Sequence, residues 1–138
     1  MNPFSTKRRV EFGDTDMAGI VHFANFFRYM EAAETEFLRS LGMTVAWRDG
    51  AERFGFPRVS AACDYLKPAR FEDVLDIAVT VEKVGKKSVS YRFAFSRADA
   101  PIAVGRITSV FCREIPGHGI ESVPIPEEIR TRLESHSG

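Results

Sequence analysis

The chain has little of what usually gives a function away early. Its 138 residues include two cysteines and three histidines. Cys63 and Cys112 stand apart in apolar stretches, so they suggest neither a disulfide framework nor a zinc spacing; they read as buried free thiols. Charge of neither sign is in excess: 19 Lys and Arg balance 19 Asp and Glu. Global charge therefore gives no argument for a nucleic-acid partner. No apolar run approaches the ~20 residues of a membrane-crossing helix. Met1 to Arg9 carry charge with no apolar stretch behind it, so no signal peptide is expected and a cytoplasmic location is. Repeats and low-complexity segments are absent too. What remains is an ordinary globular composition, 44% hydrophobic, read as one domain over residues 1–138.

Periodicity gives the organisation. Lys7 to Phe12 reads as a short strand. From about Asn25 to Leu41 the period is helical, with Phe26, Phe27, Met30, Ala33, Phe37, Leu38 and Leu41 on one broad face and Arg28, Thr35 and Arg39 opposite. Gly42 is a natural stop. At about 100° per residue, Glu34 projects inside the apolar arc and Glu31 at its edge. A buried carboxylate needs a partner, an arginine such as Arg70 or a group across a dimer interface. Val45 to Phe54 is weakly helical. Beyond it the period falls to two: Val59, Ala61, Cys63 and Tyr65; Ile77, Val79 and Val81; Val89, Tyr91, Phe93 and Phe95. Val84 to Lys87 and Arg97 to Pro101 are turns. Ile102 to Arg113 is a long strand whose alternation falters near Gly105, which predicts a bulge there. Pro126 opens a short helix ending near Leu133. The order is a strand, a long helix, then four or more antiparallel strands. One curved sheet can cover such a helix, and its open edges favour dimerisation by edge pairing.

The chemistry is concentrated between Phe12 and Asn25. Asp14 and Asp16 follow a strand-like segment, a turn forms around Gly19, and the long helix begins. A carboxylate attacks or activates water, and a helix N-terminus holds an oxyanion. Together they suggest attack on an activated acyl group. The bland alternative is that both aspartates are turn or cap residues.

The run Phe12-Gly13-Asp14-Thr15-Asp16-Met17-Ala18-Gly19-Ile20-Val21, then Asn25 and a long helix carrying Glu31, resembles the hot-dog-fold acyl-CoA thioesterases. The group is the one typified by 4-hydroxybenzoyl-CoA thioesterase, with YbgC-type enzymes as near relatives. Tyr65 to Ala69, Asp73 to Leu75 and Lys86 to Ser88 add weaker matches. The resemblance implies an α+β hot-dog fold, a long central helix wrapped by a curved antiparallel sheet. It implies homodimers with active sites at their interface, commonly paired as dimers of dimers. The catalytic residue it implies is Asp16, with the backbone N–H of Phe23 binding the thioester oxygen. Glu31 maps onto a pocket-lining acid, and Phe56 and Pro57 map near the acyl pocket. Lys86, Lys87 and Ser88 map onto the nucleotide end of coenzyme A. YbgC-type relatives often carry an aromatic at the position of His22 and a histidine at that of Phe23, which places this chain nearer the hydroxybenzoyl type. Glu31 stands where that type has an aspartate.

Thioester hydrolysis suits so few groups. The leaving thiol has a pKa of roughly 8.5, so no strong general acid is required. No metal and no cofactor is expected, since coenzyme A belongs to the substrate. Three other readings accompany this one. His22 paired with Glu31 or Glu34 would suit a hydratase or dehydratase on the same fold. Glu34 itself could be the catalytic carboxylate, as in another hot-dog group. The chain could also bind acyl-CoA without hydrolysing it. Without the resemblance, Lys86-Lys87 is simply a solvated hairpin tip.

Overall fold

The computed structural model describes residues 3–136; Met1, Asn2, Ser137 and Gly138, the ends of the expected 1–138 domain and the start of the segment read for a signal peptide, lie outside the described residues. Helix α1, Asn25–Ser40, lies where the period places it. Its apolar face, Phe26, Met30, Ala33, Phe37 and Leu38, is buried in the core. Burying a side chain of this size typically stabilises by about 1.5–3 kcal/mol. The main sheet has five strands in the order β1-β5-β6-β7-β4: β1 Phe4–Arg9, β4 Arg58–Tyr65, β5 Val74–Val84, β6 Ser88–Arg97 and β7 Ala100–Val110. All its pairings are antiparallel. Leu75, Ile77, Val79 and Val81 of β5 and Val89, Tyr91, Phe93 and Phe95 of β6 turn inward, the two-residue alternation of a half-buried sheet. This is the α+β hot-dog arrangement.

A second sheet of four short strands, β2 Ala46–Asp49, β3 Glu52–Gly55, β8 Cys112–Ile115 and β9 Gly119–Ser122, runs in the order β2-β3-β8-β9. It corrects the weak helix expected over Val45 to Phe54. Gly50 sits at φ +63° in the connecting turn, and Trp47 stacks on its cross-strand partner Phe54 at 5.7 Å. Aromatic pairing outweighs the weak helical period there. The long strand expected to Arg113 is divided: β7 ends at Val110, and Phe111 carries the chain into the second sheet. The first strand ends at Arg9, and Phe12–Asp14 form a single 3-10 turn. Helix α2, Glu127–Glu134, packs on β5. Cys63 and Cys112 are free, as expected, but only partly buried.

Gly105 is not at a bulge. It pairs in register with Cys63 and Phe93. The register shift between β6 and β7 falls at Phe95/Ser96, opposite Ile102, whose carbonyl accepts from the Leu66 and Lys67 N–H groups. Nor does β4 adjoin β5. The Leu66 to Asp73 crossover carries the chain past two strands, β7 and β6, and leaves β4 as an edge.

Candidate active site

The loop between the 3-10 turn and α1 is held on both sides. Asp14 is structural: its Oδ2 accepts from the Glu11 N–H at 2.9 Å and the Tyr29 hydroxyl at 2.8 Å. Its carbonyl accepts from His22 N–H and from Asn25 Nδ2. Burial, then the Asp14 carboxylate, pushes the Tyr29 phenol above its ordinary range, so it stays a donor. Asp16 lies in a tight turn. Its N–H donates to Ile20 O at 2.8 Å, and Gly19, at φ +80°, returns the chain. Asp16 Oδ1 accepts from the Ala18 N–H at 2.8 Å and, weakly, from Ile20 N–H at 3.4 Å. Its Oδ2 has no hydrogen bond among the described residues. The turn-forming and chemical readings of Asp16 therefore fall on different oxygens.

The chain enters α1 through a β-turn, with Asn25 N–H donating to His22 O at 2.8 Å. No side chain caps the helix. His22 Nδ1 accepts from Ala24 N–H at 3.1 Å, and its ring stacks on Phe23 at 4.6 Å. The Phe23 N–H donates to no other group of the described chain. It is a free donor at the positive end of a sixteen-residue helix. Ile20, Phe23, Phe26, Tyr65, Leu66 and Pro68 line an open, mainly apolar cleft of about 310 Å³ beside it. Tyr65 closes one side by donating to Phe23 O at 3.0 Å.

Residues 10–133 match the thioesterase-like superfamily, which is nearly the whole chain. The chain belongs to this family. The structure of a hypothetical protein from Aquifex aeolicus superposes with a TM-score of 0.81 at 32% identity, over 95% of this chain and 99% of that one. A gentisyl-coenzyme A thioesterase structure superposes with a TM-score of 0.77 at 28% identity, over 95% and 99%. A 4-hydroxybenzoyl-CoA thioesterase from Pseudomonas sp. (strain CBS-3) is 36% identical over 94 residues, 66% of each chain. The protein is a hot-dog-fold acyl-CoA thioesterase.

A thioesterase needs reach to its carboxylate, and this separates Asp16 from Glu34. Glu34 is fully buried and bonded to Arg58 through Nε at 3.0 Å and through Nη2. Burial raises its carboxyl above the usual range, opposed by Arg58. The expected arginine partner Arg70 is thus corrected to Arg58. Arg70 lies in the crossover, bridged to Ile20, whereas Arg58 opens β4 directly beside α1. Among the described residues His22 makes no hydrogen bond to Glu31 or Glu34: Arg58 holds Glu34, and His22 Nδ1 accepts from the Ala24 N–H. Glu31 is exposed, 4.0 Å from Arg58 Nη1.

The remaining sequence candidates do not gather around Asp16. Phe56 is buried against Phe111 at 5.1 Å, in the aromatic core of the second sheet. Pro57 lines a small surface cleft with Cys112 and Ile120. Lys86 and Lys87 are exposed at the β5–β6 hairpin, whose carbonyls are tied down by Arg130, Ile125 N–H and Phe111 N–H. They lie at the far end of an eleven-residue strand from the Asp16 loop, a separation of roughly 30 Å. Sequence reasoning missed Tyr29 and Arg58. Tyr29 was legible only as a polar tip among apolar helix positions. Arg58 carried no periodic signal.

Proposed function

We propose that Asp16 and the Phe23 N–H carry out the hydrolysis. The observation that carries this is the pair of unbonded groups, Asp16 Oδ2 and Phe23 N–H, on one loop beside an apolar cleft. With the thioester oxygen on the Phe23 N–H, Asp16 attacks the carbonyl carbon or removes a proton from a water that does. The tetrahedral oxyanion collapses and expels coenzyme A as thiolate. Direct water attack gives the acid at once; attack by Asp16 leaves a mixed anhydride that a water cleaves. The hydrogen bond to the oxygen strengthens as charge develops, a contribution of about 3 kcal/mol for donors of this kind.

The acyl group is short or aromatic, with 4-hydroxybenzoyl-like groups favoured. The cleft is walled by Phe23, Phe26 and Tyr65, and the relatives named above act on hydroxylated benzoyl thioesters. Glu31 serves as the pocket acid, with Phe56 and Pro57 behind the acyl group, and Lys86, Lys87 and Ser88 meet the nucleotide end of coenzyme A.

That assignment requires two subunits. β4 is an edge strand, exposed from Arg58 to Ala62, and its centre, Val59 to Ala62, has no charged side chain. Such an edge is a template for pairing. Tyr65 lies at the Asp16 end of the sheet, paired with Ala103, and Arg58 at the Lys86 end, paired with Ser109. Two-fold antiparallel pairing of β4 with its copy sets Tyr65 beside the partner's Arg58. It joins each Asp16 loop to the partner's Lys86 end. Such dimers pair further into tetramers. Two free thiols suit the reducing cytoplasm, and no cofactor is called upon.

The test is thiol release from acetyl- to palmitoyl-CoA, benzoyl-, 4-hydroxybenzoyl- and phenylacetyl-CoA, with Asp16→Asn in parallel. A folded Asp16→Asn protein should lose 10²-fold or more of its turnover. Wild-type turnover in that variant would remove Asp16 from the mechanism.

A further inference from the structure

Arg58 does more than pair with a buried acid. Three observations give it more to do. First, the register between β4 and β7 shifts between Arg58 and Ser60. Val59 is the extra residue, and a bulge of this kind re-aims the neighbouring side chain; Arg58 turns onto α1. Second, Glu34 takes only the Nε and Nη2 edge of the guanidinium. Glu34 Oε2 has no partner among the described residues, so Arg58 alone balances this buried charge and is held tightly. Third, the Nη1 group is left over. It lies 4.0 Å from Glu31 Oε2, and both residues line an open cleft of about 380 Å³ with Thr35, Glu36 and Arg39.

A 4.0 Å gap is too wide for a direct hydrogen bond. It is the right width for one bridging oxygen, because two bonds of about 2.8 Å meeting near a right angle span it. One side of the gap is a permanent donor and the other an acceptor. A hydroxyl satisfies both, accepting from Nη1 and donating to Glu31. An anion satisfies only Arg58 and is repelled by the Glu31 carboxylate 4.0 Å away.

We propose that Arg58, clamped by Glu34, is a specificity-determining residue that, together with Glu31, reads a neutral hydroxyl on the acyl ring bound in the partner subunit's cleft. This rests on the aromatic thioesterase reading above and on its β4-paired dimer. The proposal makes Glu34 a positioning residue: it fixes the guanidinium and does not touch substrate. The competing account is that Arg58 only neutralises Glu34.

The experiment compares kcat/KM for 4-hydroxybenzoyl-, benzoyl- and 4-carboxybenzoyl-CoA. The enzymes are the wild type, Arg58→Lys, and the double variant Glu34→Met with Arg58→Met. Arg58→Lys keeps the charge that Glu34 needs but loses the fork. The double variant removes the buried pair together, so neither partner is left uncompensated. The expected wild-type order is hydroxybenzoyl over benzoyl over carboxybenzoyl. Both variants should lower the hydroxybenzoyl-to-benzoyl ratio at least tenfold, the loss expected for a hydrogen bond to a charged group. A ratio retained in both variants, with both aromatic thioesters still hydrolysed, overturns the role of Arg58 and leaves the aromatic reading standing. A wild type that prefers 4-carboxybenzoyl-CoA also overturns it. A wild type that turns over only aliphatic thioesters overturns the aromatic reading and the proposal with it.

Discussion

Met30 on α1 occupies the space where a side chain on Gly105 would begin. A β-carbon on Gly105 would lie 2.1 Å from the Met30 sulfur and 3.0 Å from its Cε. Glycine is required here for close approach of helix to sheet, with no strain at its φ. Met30 is fully buried, so its thioether can move only by displacing neighbours. Gly105→Ala should therefore cost about 1–3 kcal/mol by overpacking. Urea unfolding checks this, and adding Met30→Ala should give less than the sum of the two single losses, since the clash is between the two residues.

The Phe23 N–H, proposed to hold the oxyanion, can be removed without disturbing the loop. Phe23 is the second residue of the His22–Asn25 turn, whose closing bond runs from Asn25 N–H to His22 O. That position favours proline. Its N–H has no partner in the described chain, so Phe23→Pro loses no internal hydrogen bond. The variant should fold normally by circular dichroism yet lose about 10²–10³ in kcat. Phe23→Ala, which keeps the N–H and loses the same exposed ring, is the control. Equal losses in the two would assign the effect to the ring.

How far these features were readable differs by element. Helix α1 was visible because its apolar period continues for sixteen residues without a breaker. Asp16 stood out because a carboxylate between a strand and a helix has few neighbours to explain it. The β2–β3 hairpin was missed because four-residue strands carry too little alternation to compete with a weak helical period. The bulge was placed at Gly105 because glycine is its usual marker; the actual reason for glycine is Met30, a tertiary contact from seventy-five residues away in sequence. Arg58 was missed for the same kind of reason. Its orientation comes from a register shift at an edge strand, and registers are set by pairing.

Cys63 gives a pH test. Burial, then the Asp64 carboxylate, pushes its thiol up to about 11. At pH 8 the reactive thiolate should then be roughly a hundredfold scarcer than for an ordinary cysteine. Alkylation of Cys63 by iodoacetamide, followed by peptide mapping, should be slow at pH 8. It should keep accelerating tenfold per pH unit well beyond the ordinary pKa of about 8.5. The sign for stability follows. The folded chain holds a proton that the unfolded chain releases first, so this contribution is full below the unfolded pKa and is lost as pH rises toward about 11. Rapid alkylation that levels off below pH 9 would show that the thiol is not shielded.

Pairing along β4 predicts complementation between two defective proteins. If each site joins the Asp16 loop of one subunit to the partner's Lys86 end, then Asp16→Asn and the double variant Lys86→Ala with Lys87→Ala damage different halves of it. A hybrid dimer of the two carries one site with both lesions and one with neither. Random re-association makes half of the dimers hybrid, each with one of two sites intact. Activity should thus return to about a quarter of wild type, above either parent, when assayed at low acyl-CoA where the lysines matter most. Placing a charge at the centre of the edge, as in Ala61→Asp, should abolish this recovery. It should also give monomers by sedimentation, because a carboxylate facing its own copy across a two-fold blocks pairing. If the mixture only averages its parents while hybrids are demonstrably present, each site lies within one subunit, and the hairpin lysines then have no part in binding coenzyme A.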